Sequence, residues 1–281
     1  MLDDLSTGAR ENLDGVEADL VVGSILDEEA LAEVSGGVDS IVHLAARPSV
    51  PRSLEDPMAS HQANATGTLM VLEAARLGSR PHVAVASSSS VYGANPMLPK
   101  TEDMVTLPMS PYGASKLATE SYALAYGRSF GMRVLAFRFF NVFGPLQAAD
   151  HAYAAVIPAF VSAALKKAPL QVHGDGRQTR DFTYVGSVCS VLVDAVRRKV
   201  SSERAVNLAF GSRISLLELI DKLEKVIGYE IDREHVAPRA GDVRDSQADS
   251  TRLMELFPDA PAVSLDQGLR ETVEWFRSLV S

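Results

Sequence analysis

Short apolar runs alternate with longer helical patterns along the first half of the chain. The runs at 40–46 (SIVHLAA) and 81–86 (PHVAVA) are almost continuously apolar, which is typical of parallel strands buried on both faces. Further runs at 20–24 and 132–139 predict two more strands, and helical spacing predicts helices over 27–34, 60–77 and 111–130. This alternation predicts an α/β fold with a Rossmann-like, doubly wound parallel sheet.

The pattern changes after Asn141, where shorter and more varied elements follow. We predict helices over 152–167, 185–198 and 215–227 and strands over 170–173 and 205–209. Ser215 and Glu218 stand three residues apart at the start of the last helix, as in a capping box. We therefore predict a first domain over 1–141 and a smaller C-terminal α/β substrate lobe over 142–281, with some segments returning to the first domain.

Composition narrows the class of protein. The chain has 281 residues, 46% of them hydrophobic, and a formal net charge of -9. An acidic chain argues against a broad nucleic-acid interface, which requires a basic face. No run of about 18 apolar residues predicts a membrane span. The single cysteine, Cys189, leaves no internal disulfide and no cysteine-based metal site, so we expect a cytoplasmic protein without a metal and with Cys189 buried in an apolar helix.

Candidate chemistry is concentrated between residues 86 and 116. A serine cluster (ASSSSVYG, 86–93) ends the predicted strand, and SPYGASK (110–116) opens the next helix. Tyr112 and Lys116 are four residues apart and share a helix face. An ammonium group beside a phenol lowers the phenol pKa and favours a general base, while a hydroxyl of the serine cluster could bind the same substrate oxygen. The alternative is an exposed Tyr and Lys at a helix start, with the serines forming a cap or turn.

Ordered motifs along nearly the whole chain carry a resemblance to a known family. They are LDDLSTG (2–8), HLAA (43–46), NATGT (64–68), SSSSVYG (87–93), SPYGASK (110–116), RFFNVFGPLQ (138–147), GDGRQTRDFTYV (174–185) and RAGDVRDSQAD (239–249). In this order they resemble the extended short-chain dehydrogenase/reductase superfamily, in its nucleotide-sugar epimerase/dehydratase branch.

The resemblance implies NAD as cofactor and a Ser–Tyr–Lys catalytic set. Ser88, Tyr112 and Lys116 match the catalytic positions, and Lys116 would also bind the nicotinamide ribose. Asp3 would accept hydrogen bonds from the adenosine ribose. The implied cofactor-binding residues are Asp3, Asp4, Ser24, Ile25, Leu44, Ala45, Ala46, Asn64, Tyr112 and Lys116. Ser24 departs from the family, which usually has Asp there to contact adenine.

The resemblance also implies a site for a UDP-sugar. Arg180 and Arg239 would clamp the diphosphate, a role that suits planar guanidinium groups, and Asp242 would bind the uridine ribose. The implied substrate-binding residues are Ser88, Asn141, Ala155, Val156, His173, Arg180, Arg239, Asp242 and Ser246. A homodimer is implied on the same basis.

Two features select among the reactions of this family. Ser89 and Ser90 follow the catalytic serine where dehydratases and decarboxylases carry acids, so we expect C4 epimerisation of a UDP-hexose through a transient 4-keto sugar. Ser246 matches the position that gates the sugar pocket, and a small residue there would admit UDP-GlcNAc and UDP-GalNAc beside UDP-Glc and UDP-Gal. Epimerisation of UDP-glucuronate and net reduction of a nucleotide sugar are the enzymatic alternatives.

The family's first strand and its GxxGxxG phosphate loop have no counterpart in this sequence. Met1 stands where the family often has Val at the end of the second strand. We therefore expect the native protein to be longer. The alternative is a cofactor-deficient remnant that only binds nucleotide sugar.

Overall fold

Strands and connecting helices alternate in the first part of the computed structural model, which describes residues 1–149, 153–238 and 243–279. The α/β fold predicted from the sequence is confirmed. The elements are β1 (Leu2–Asp3), β2 (Val21–Val22), α1 (Glu28–Ser35), β3 (Ser40–His43), α2 (Val50–Glu55), α3 (Pro57–His61), α4 (Gly67–Leu77), β4 (His82–Ser88), α5 (Pro111–Phe130) and β5 (Val134–Phe139).

The strand β4 lies inside a four-stranded sheet of order β10–β5–β4–β3, in which β10 is Val206–Leu208. Strands β3 and β4 are parallel, with His43 opposite Val85. Every residue of β4 is buried, which explains its unbroken apolar sequence. The strand extends two residues beyond the predicted 81–86, so Ser87 and Ser88 belong to the strand itself. Strands β1 and β2 form a separate two-stranded parallel sheet.

Helix α5 has the predicted bounds, and local chemistry fixes both of its ends. The Ser110 hydroxyl accepts a hydrogen bond from the Gly113 N–H at 3.1 Å, and Pro111 occupies the first turn, where its missing N–H costs nothing. Gly131 ends the helix in the left-handed conformation, with φ +66°. The helix face that packs against β4 is buried but partly polar, with Lys116 and Glu120 among its buried residues.

The single helix predicted over 60–77 is divided in the structure. Helix α3 passes at Gln62–Thr66 into a π-helical turn, in which the Gly67 N–H bonds to the Gln62 carbonyl, and α4 follows. A π turn accommodates one additional residue and is frequent at functional sites. The turn places Asn64 in a fully buried position.

Two compact units divide the chain. The first comprises Met1–Gly93, Thr106–Arg138 and Leu192–Val206, and the second comprises Ala94–Val105, Phe139–Val191 and Asn207–Ser281. The later elements are β6 (Val142–Phe143), α6 (Val156–Leu165), β7 (Leu170–His173), β8 (Thr179–Arg180), β9 (Thr183–Tyr184), α7 (Val185–Arg198), β11 (Ile214–Ser215), α8 (Leu216–Ile227), β12 (Arg233–Val236), α9 (Thr251–Leu256) and α10 (Leu265–Ser278).

An apolar cluster forms the core of the second unit, with buried residues from α6, α8 and α10. Helix α8 buries one stripe at helical spacing, namely Leu216, Leu219, Ile220, Leu223 and Ile227. Its predicted capping box is confirmed: the Ser215 hydroxyl accepts from the Glu218 N–H, and the Glu218 carboxylate accepts from the Ser215 N–H at 2.7 Å.

The prediction that Cys189 is buried is wrong. Cys189 lies on the exposed face of α7, where Val193 one turn later is also exposed. The apolar residues around Cys189 are distributed over several faces of the helix. The face that is buried carries Val188, Val191 and Ala195 instead. No helix among the described residues has the length and apolar character needed to cross a bilayer.

Candidate active site

Ser88 is the last residue of the buried strand β4 and lies at the carboxyl end of that strand. Its hydroxyl accepts a hydrogen bond from the Ser90 N–H at 3.1 Å and so caps the 3-10 turn Ser89–Val91. The side chain is buried. In parallel sheets the carboxyl ends of the strands are the usual place for a ligand site, and Ser88 occupies that place in the first unit.

Tyr112, in the first turn of α5, lies beside Ser88. Burial raises the pKa of the Tyr112 hydroxyl above 10, and a hydrogen bond with Ser88 opposes this rise. The predicted lowering of this pKa by Lys116 is therefore wrong for the protein as described, because desolvation disfavours the phenolate more strongly. The predicted juxtaposition of Ser88 and Tyr112 is present.

Lys116 is buried one turn after Tyr112 and points towards the same strand end. Its Nζ donates to the Ala86 carbonyl at 2.8 Å, and burial lowers the pKa of the ammonium to about 8. An ammonium group has three N–H donors, and among the described residues Ala86 supplies the one acceptor. A buried ammonium with unused donors fits the role of binding ribose hydroxyls.

A hydrogen-bonded network of buried side chains supports this helix at Ser115 and Thr119. The Asn64 Nδ2 donates to the Ser115 hydroxyl at 2.9 Å, and the Asn64 carbonyl accepts from both Thr68 and Thr119. His43 Nε2 lies 3.0 Å from the Thr68 hydroxyl. Burial, together with the charge of Lys116, lowers the pKa of His43 to about 3, so the imidazole is neutral at ordinary pH.

Asn64 was predicted to bind the cofactor, and its side chain is fully buried and bonded within the protein. Besides Ser115, it binds the loop after β3, since its Oδ1 accepts from the Arg47 N–H at 2.7 Å and its Nδ2 donates to the Arg47 carbonyl at 3.2 Å. The structure thus shows a residue that fixes the loop and α5 together. A cofactor contact of Asn64 stays a prediction.

Asp3 and Ser24, two further predicted cofactor residues, follow neighbouring parallel strands. Asp3 ends β1 and Ser24 comes directly after Gly23, whose N–H bonds to the Asp3 carbonyl at 3.1 Å. The Asp3 carboxylate accepts from Leu5 at 2.8 Å and retains further lone pairs for a ligand hydroxyl.

The remaining predicted cofactor residues follow the ends of β1, β2 and β3. Asp4 is exposed, and hydrogen bonds from Ser6 lower its pKa. Ile25 packs closely against Gly67 at the start of α4, and a Cβ on Gly67 would lie 2.4 Å from the Ile25 Cδ1. Leu44 and Ala45 are exposed and Ala46 is half-buried, directly after β3.

In the second unit, three predicted substrate residues lie around β8. The Arg180 guanidinium donates to the carbonyls of Thr179 and Arg244 at 2.9 and 3.0 Å. The Ser246 N–H bonds to the Thr179 carbonyl at 3.1 Å. Asn141 has a positive φ of 30° and donates through Nδ2 to the Asp181 carbonyl at 3.0 Å. Hydrogen bonds with neighbouring backbone thus hold all three residues in one region.

The other predicted substrate residues are more dispersed. Ala155 and Val156 form the N-terminus of α6, where Val156 packs against the core of the unit. His173 ends β7, and its Nδ1 lies 2.9 Å from the Ala237 carbonyl. Arg239 and Asp242 lie outside the described residues. The roles of all these residues in substrate binding stay predictions.

Several buried polar residues of the two units had no place in the sequence-based prediction. His43 and Arg138 interrupt otherwise apolar strands, and Glu120 follows Lys116 at helical spacing. Asp181 is fully buried and accepts hydrogen bonds from Ser212 and Ala248. An ionisable residue inside an apolar run could have indicated these buried pairs, because ionisable residues are rarely fully buried unless they are paired.

Known proteins share both the sequence and the architecture of this chain. The sequence profile of the NAD dependent epimerase/dehydratase family matches residues 1–209. A UDP-glucose 4-epimerase of Mycolicibacterium smegmatis is 38% identical over 285 residues, covering 99% of this chain and 90% of that protein.

Two solved structures are similar over almost the whole chain. A UDP-N-acetylglucosamine 4-epimerase of Methanobrevibacter ruminantium, in complex with UDP-N-acetylmuramic acid, has a TM-score of 0.93 at 34% identity, covering 99% of this chain and 90% of the other. A UDP-glucose 4-epimerase of Thermus thermophilus, in complex with NAD, has a TM-score of 0.90 at 31% identity, covering 98% and 90%. With its matching profile, its relatives and its Ser88–Tyr112–Lys116 site, this chain belongs to the NAD-dependent epimerase/dehydratase family.

Proposed function

We propose that this chain inverts the configuration at C4 of a UDP-hexose, with UDP-glucose and UDP-galactose as one substrate pair and UDP-GlcNAc and UDP-GalNAc as a second. The observation that carries the proposal is the contact of Ser88 with Tyr112 beside the buried Lys116. The similar proteins named above act on UDP-sugars of both kinds.

Proton transfer at the C4 hydroxyl is the task of Tyr112 and Ser88. In the forward half-reaction the Tyr112 phenolate takes the hydroxyl proton, and Ser88 donates a hydrogen bond to the same oxygen. Because burial raises the pKa of Tyr112, the phenolate would need cationic charge beside its ring, which Lys116 and an oxidised nicotinamide would supply together. NAD, if bound there, would supply reversible hydride transfer at C4, which would let the transient 4-keto sugar be reduced again on its opposite face. Tyr112 then returns its proton to the oxygen, which completes the epimer.

The residues present fit the two riboses of NAD. Lys116 has ammonium donors available for ribose hydroxyls, and the Asp3 carboxylate follows β1 as an acceptor for the adenosine ribose. On the substrate side, Arg180 with Arg239 would hold the diphosphate throughout the cycle. The sugar would then be free to turn about its link to the diphosphate between the two hydride transfers.

Replacing Tyr112 with phenylalanine tests this proposal directly. Proton NMR of the purified protein with NAD and UDP-glucose follows the appearance of UDP-galactose. We expect Tyr112→Phe to lower kcat by about 100-fold or more, because it removes the general base, while UDP binding is retained. Tyr122→Phe, an exposed tyrosine on the same helix, is the matched control and keeps wild-type turnover. Retained activity in Tyr112→Phe contradicts the assignment.

We also propose a homodimer. Apolar side chains of α2 and α3 are exposed on the first unit: Leu54 is 49% and Met58 66% exposed, and these two helices pack against each other. Exposed apolar side chains on packed helices support a protein interface at this surface. Light scattering after size-exclusion chromatography should give twice 30.1 kDa, and Met58→Lys should shift the mass towards one copy.

A further inference from the structure

Glu120 and Arg138 form a buried ion pair one helical turn beyond Lys116. The Glu120 carboxylate accepts from Arg138 through two bonds, Nε to Oε2 at 2.9 Å and Nη2 to Oε1 at 2.6 Å. Both residues are 4% exposed. Glu120 lies one turn after Lys116 on α5, and Arg138 lies on β5, the neighbour of β4. The pair therefore connects the helix that carries Tyr112 and Lys116 to the sheet that carries Ser88.

Two additional contacts extend the pair to the Ser88 side of the site. The hydroxyl of Ser87, the residue before Ser88, donates to the same Glu120 carboxylate at 2.9 Å. The Arg138 guanidinium stacks over the ring of Tyr92 at 4.7 Å from its centroid. Tyr92 follows the 3-10 turn that Ser88 caps. The Glu120 carboxylate thus contacts the residue before Ser88, and the Arg138 guanidinium contacts the residue that follows the turn.

A buried ion pair is a weak source of stability, because the desolvation of both charges offsets most of their attraction. Its geometry, by contrast, is strict, since the planar guanidinium matches the carboxylate along two bonds. The two charges of the pair also compensate each other, so the pair has little effect on neighbouring pKa values. Burial lowers the pKa of Lys116, and burial together with the Ser88 hydrogen bond accounts for the pKa of Tyr112. The pair therefore acts on the position of the site and not on its titration.

We propose that Glu120 and Arg138 are positioning residues, which hold α5 against β4 and β5 so that the Tyr112 hydroxyl meets that of Ser88 and Lys116 reaches the Ala86 carbonyl. This rests on the proposed function in so far as the distance between these groups governs proton transfer. A displacement of about 1 Å at reacting groups can lower a rate on the order of 100-fold.

The double variant Glu120→Leu/Arg138→Met separates positioning from stability. Apolar side chains of similar volume commonly replace a buried ion pair without loss of stability, so its thermal midpoint should stay within about 4 °C of wild type. We expect kcat for UDP-glucose epimerisation to fall on the order of 100-fold, with KM within about threefold, because a positioning defect acts on the chemical step. Glu120→Gln alone, which removes the counter-charge of Arg138, should lower both kcat and the midpoint.

The matched control is Glu73→Gln in the same unit. Glu73 also holds an arginine along two bonds, Arg76 at 2.8 and 2.7 Å, and contacts α5 through Tyr126, but at the end of α5 away from Tyr112. It should change kcat by less than about threefold. A double variant with a normal thermal midpoint and a wild-type kcat overturns the proposal. So does a kcat that changes among the Glu120 and Arg138 variants only in proportion to their thermal midpoints.

A crystal structure of the double variant decides the matter independently of turnover. We expect the Tyr112–Ser88 hydrogen bond and the 2.8 Å Lys116–Ala86 contact to be lost, with the rest of the first unit unchanged. Persistence of both contacts overturns the positioning role. If wild-type protein epimerises no UDP-sugar, the proposed function fails, while this structural comparison still decides the role of the pair.

Discussion

Replacing Asp181 with asparagine removes a carboxylate that the second unit buries completely. Its oxygens accept from the Ser212 hydroxyl and the Ala248 N–H, both at 2.9 Å. Burial nevertheless raises the pKa of Asp181 from 3.8 to about 6, and the hydrogen bonds from Ala248, Ser212 and Gly211 only partly oppose this rise. The folded protein thus holds this proton more tightly than the unfolded chain does.

The sign and size of the effect on stability follow from these two pKa values. For an acid whose folded pKa is raised, ionisation disfavours the fold: the penalty is absent below about pH 4, grows between pH 4 and 6, and is complete above pH 6. The interval from 3.8 to about 6 corresponds to a penalty of about 3 kcal/mol. Because Asp181 is inaccessible to solvent, little of this penalty is screened.

Asp181→Asn removes the pH-dependent penalty on the free energy of unfolding and adds a cost that does not depend on pH. The amide nitrogen must face one of the former donors, which costs about 1–3 kcal/mol at every pH. Between pH 4 and pH 7, the free energy of unfolding of wild type should therefore fall by about 3 kcal/mol relative to the variant. Urea denaturation of both proteins at four pH values measures this difference, and carbon-13 NMR should show a carboxyl that titrates near pH 6 in wild type and is missing from the variant.

Asp175→Asn is the matched control in the same unit. Asp175 is exposed, and hydrogen bonds from Arg177 and Arg244 lower its pKa, so its contribution is small and opposite in sign. A wild-type minus Asp181→Asn difference that is constant from pH 4 to pH 7 would refute the argument. So would an Asp181 resonance that titrates near pH 4.

Three further predictions test backbone strain, capping and substrate choice. Gly93→Ala should unfold the first unit or destabilise it by more than about 3 kcal/mol, because φ is +48° and the new Cβ would lie 1.8 Å from the Leu107 carbonyl oxygen. Gly131→Ala, at φ +66° with open space around it, should cost only about 1 kcal/mol by the same thermal denaturation assay. Ser215→Ala should destabilise the protein by about 1 kcal/mol through loss of the capping box, and an unchanged urea midpoint would contradict this. Ser246→Tyr should abolish turnover of UDP-GlcNAc while sparing UDP-glucose, and equal losses on both substrates in the NMR assay would exclude a gate at this position.

Long elements with a strong pattern could be predicted from the sequence, whereas elements fixed by distant contacts could not. Helix α5 carries its own start and stop signals in Ser110, Pro111 and Gly131, and its predicted bounds are confirmed. The two-residue strands β6 and β9 exist only because they pair with each other, and two residues carry no period. The π turn was missed because its apolar spacing differs from that of an α-helix by less than one residue per turn.

The catalytic positions could be proposed from spacing, but their electrostatics could not. Ser88, Tyr112 and Lys116 were predicted together, and the structure brings them together. The pKa of Tyr112 depends on how much of its ring the fold buries, which a spacing of four residues does not reveal. The Glu120–Arg138 pair likewise joins two residues 18 positions apart, on α5 and β5, and the sequence around either residue does not indicate its partner.

The π-helical turn at Gln62–Thr66 makes the length of its segment as important as its composition. Deletion of a single residue there would close the turn into regular α-helical bonding, so α3 and α4 would keep their alignment while the side chains inside the turn would change direction. Asn64, which lies in the turn, would then lose its alignment with Ser115 and Arg47. Substitutions in this turn can be absorbed one side chain at a time, whereas a deletion would break the hydrogen bonds by which Asn64 joins the loop after β3 to α5.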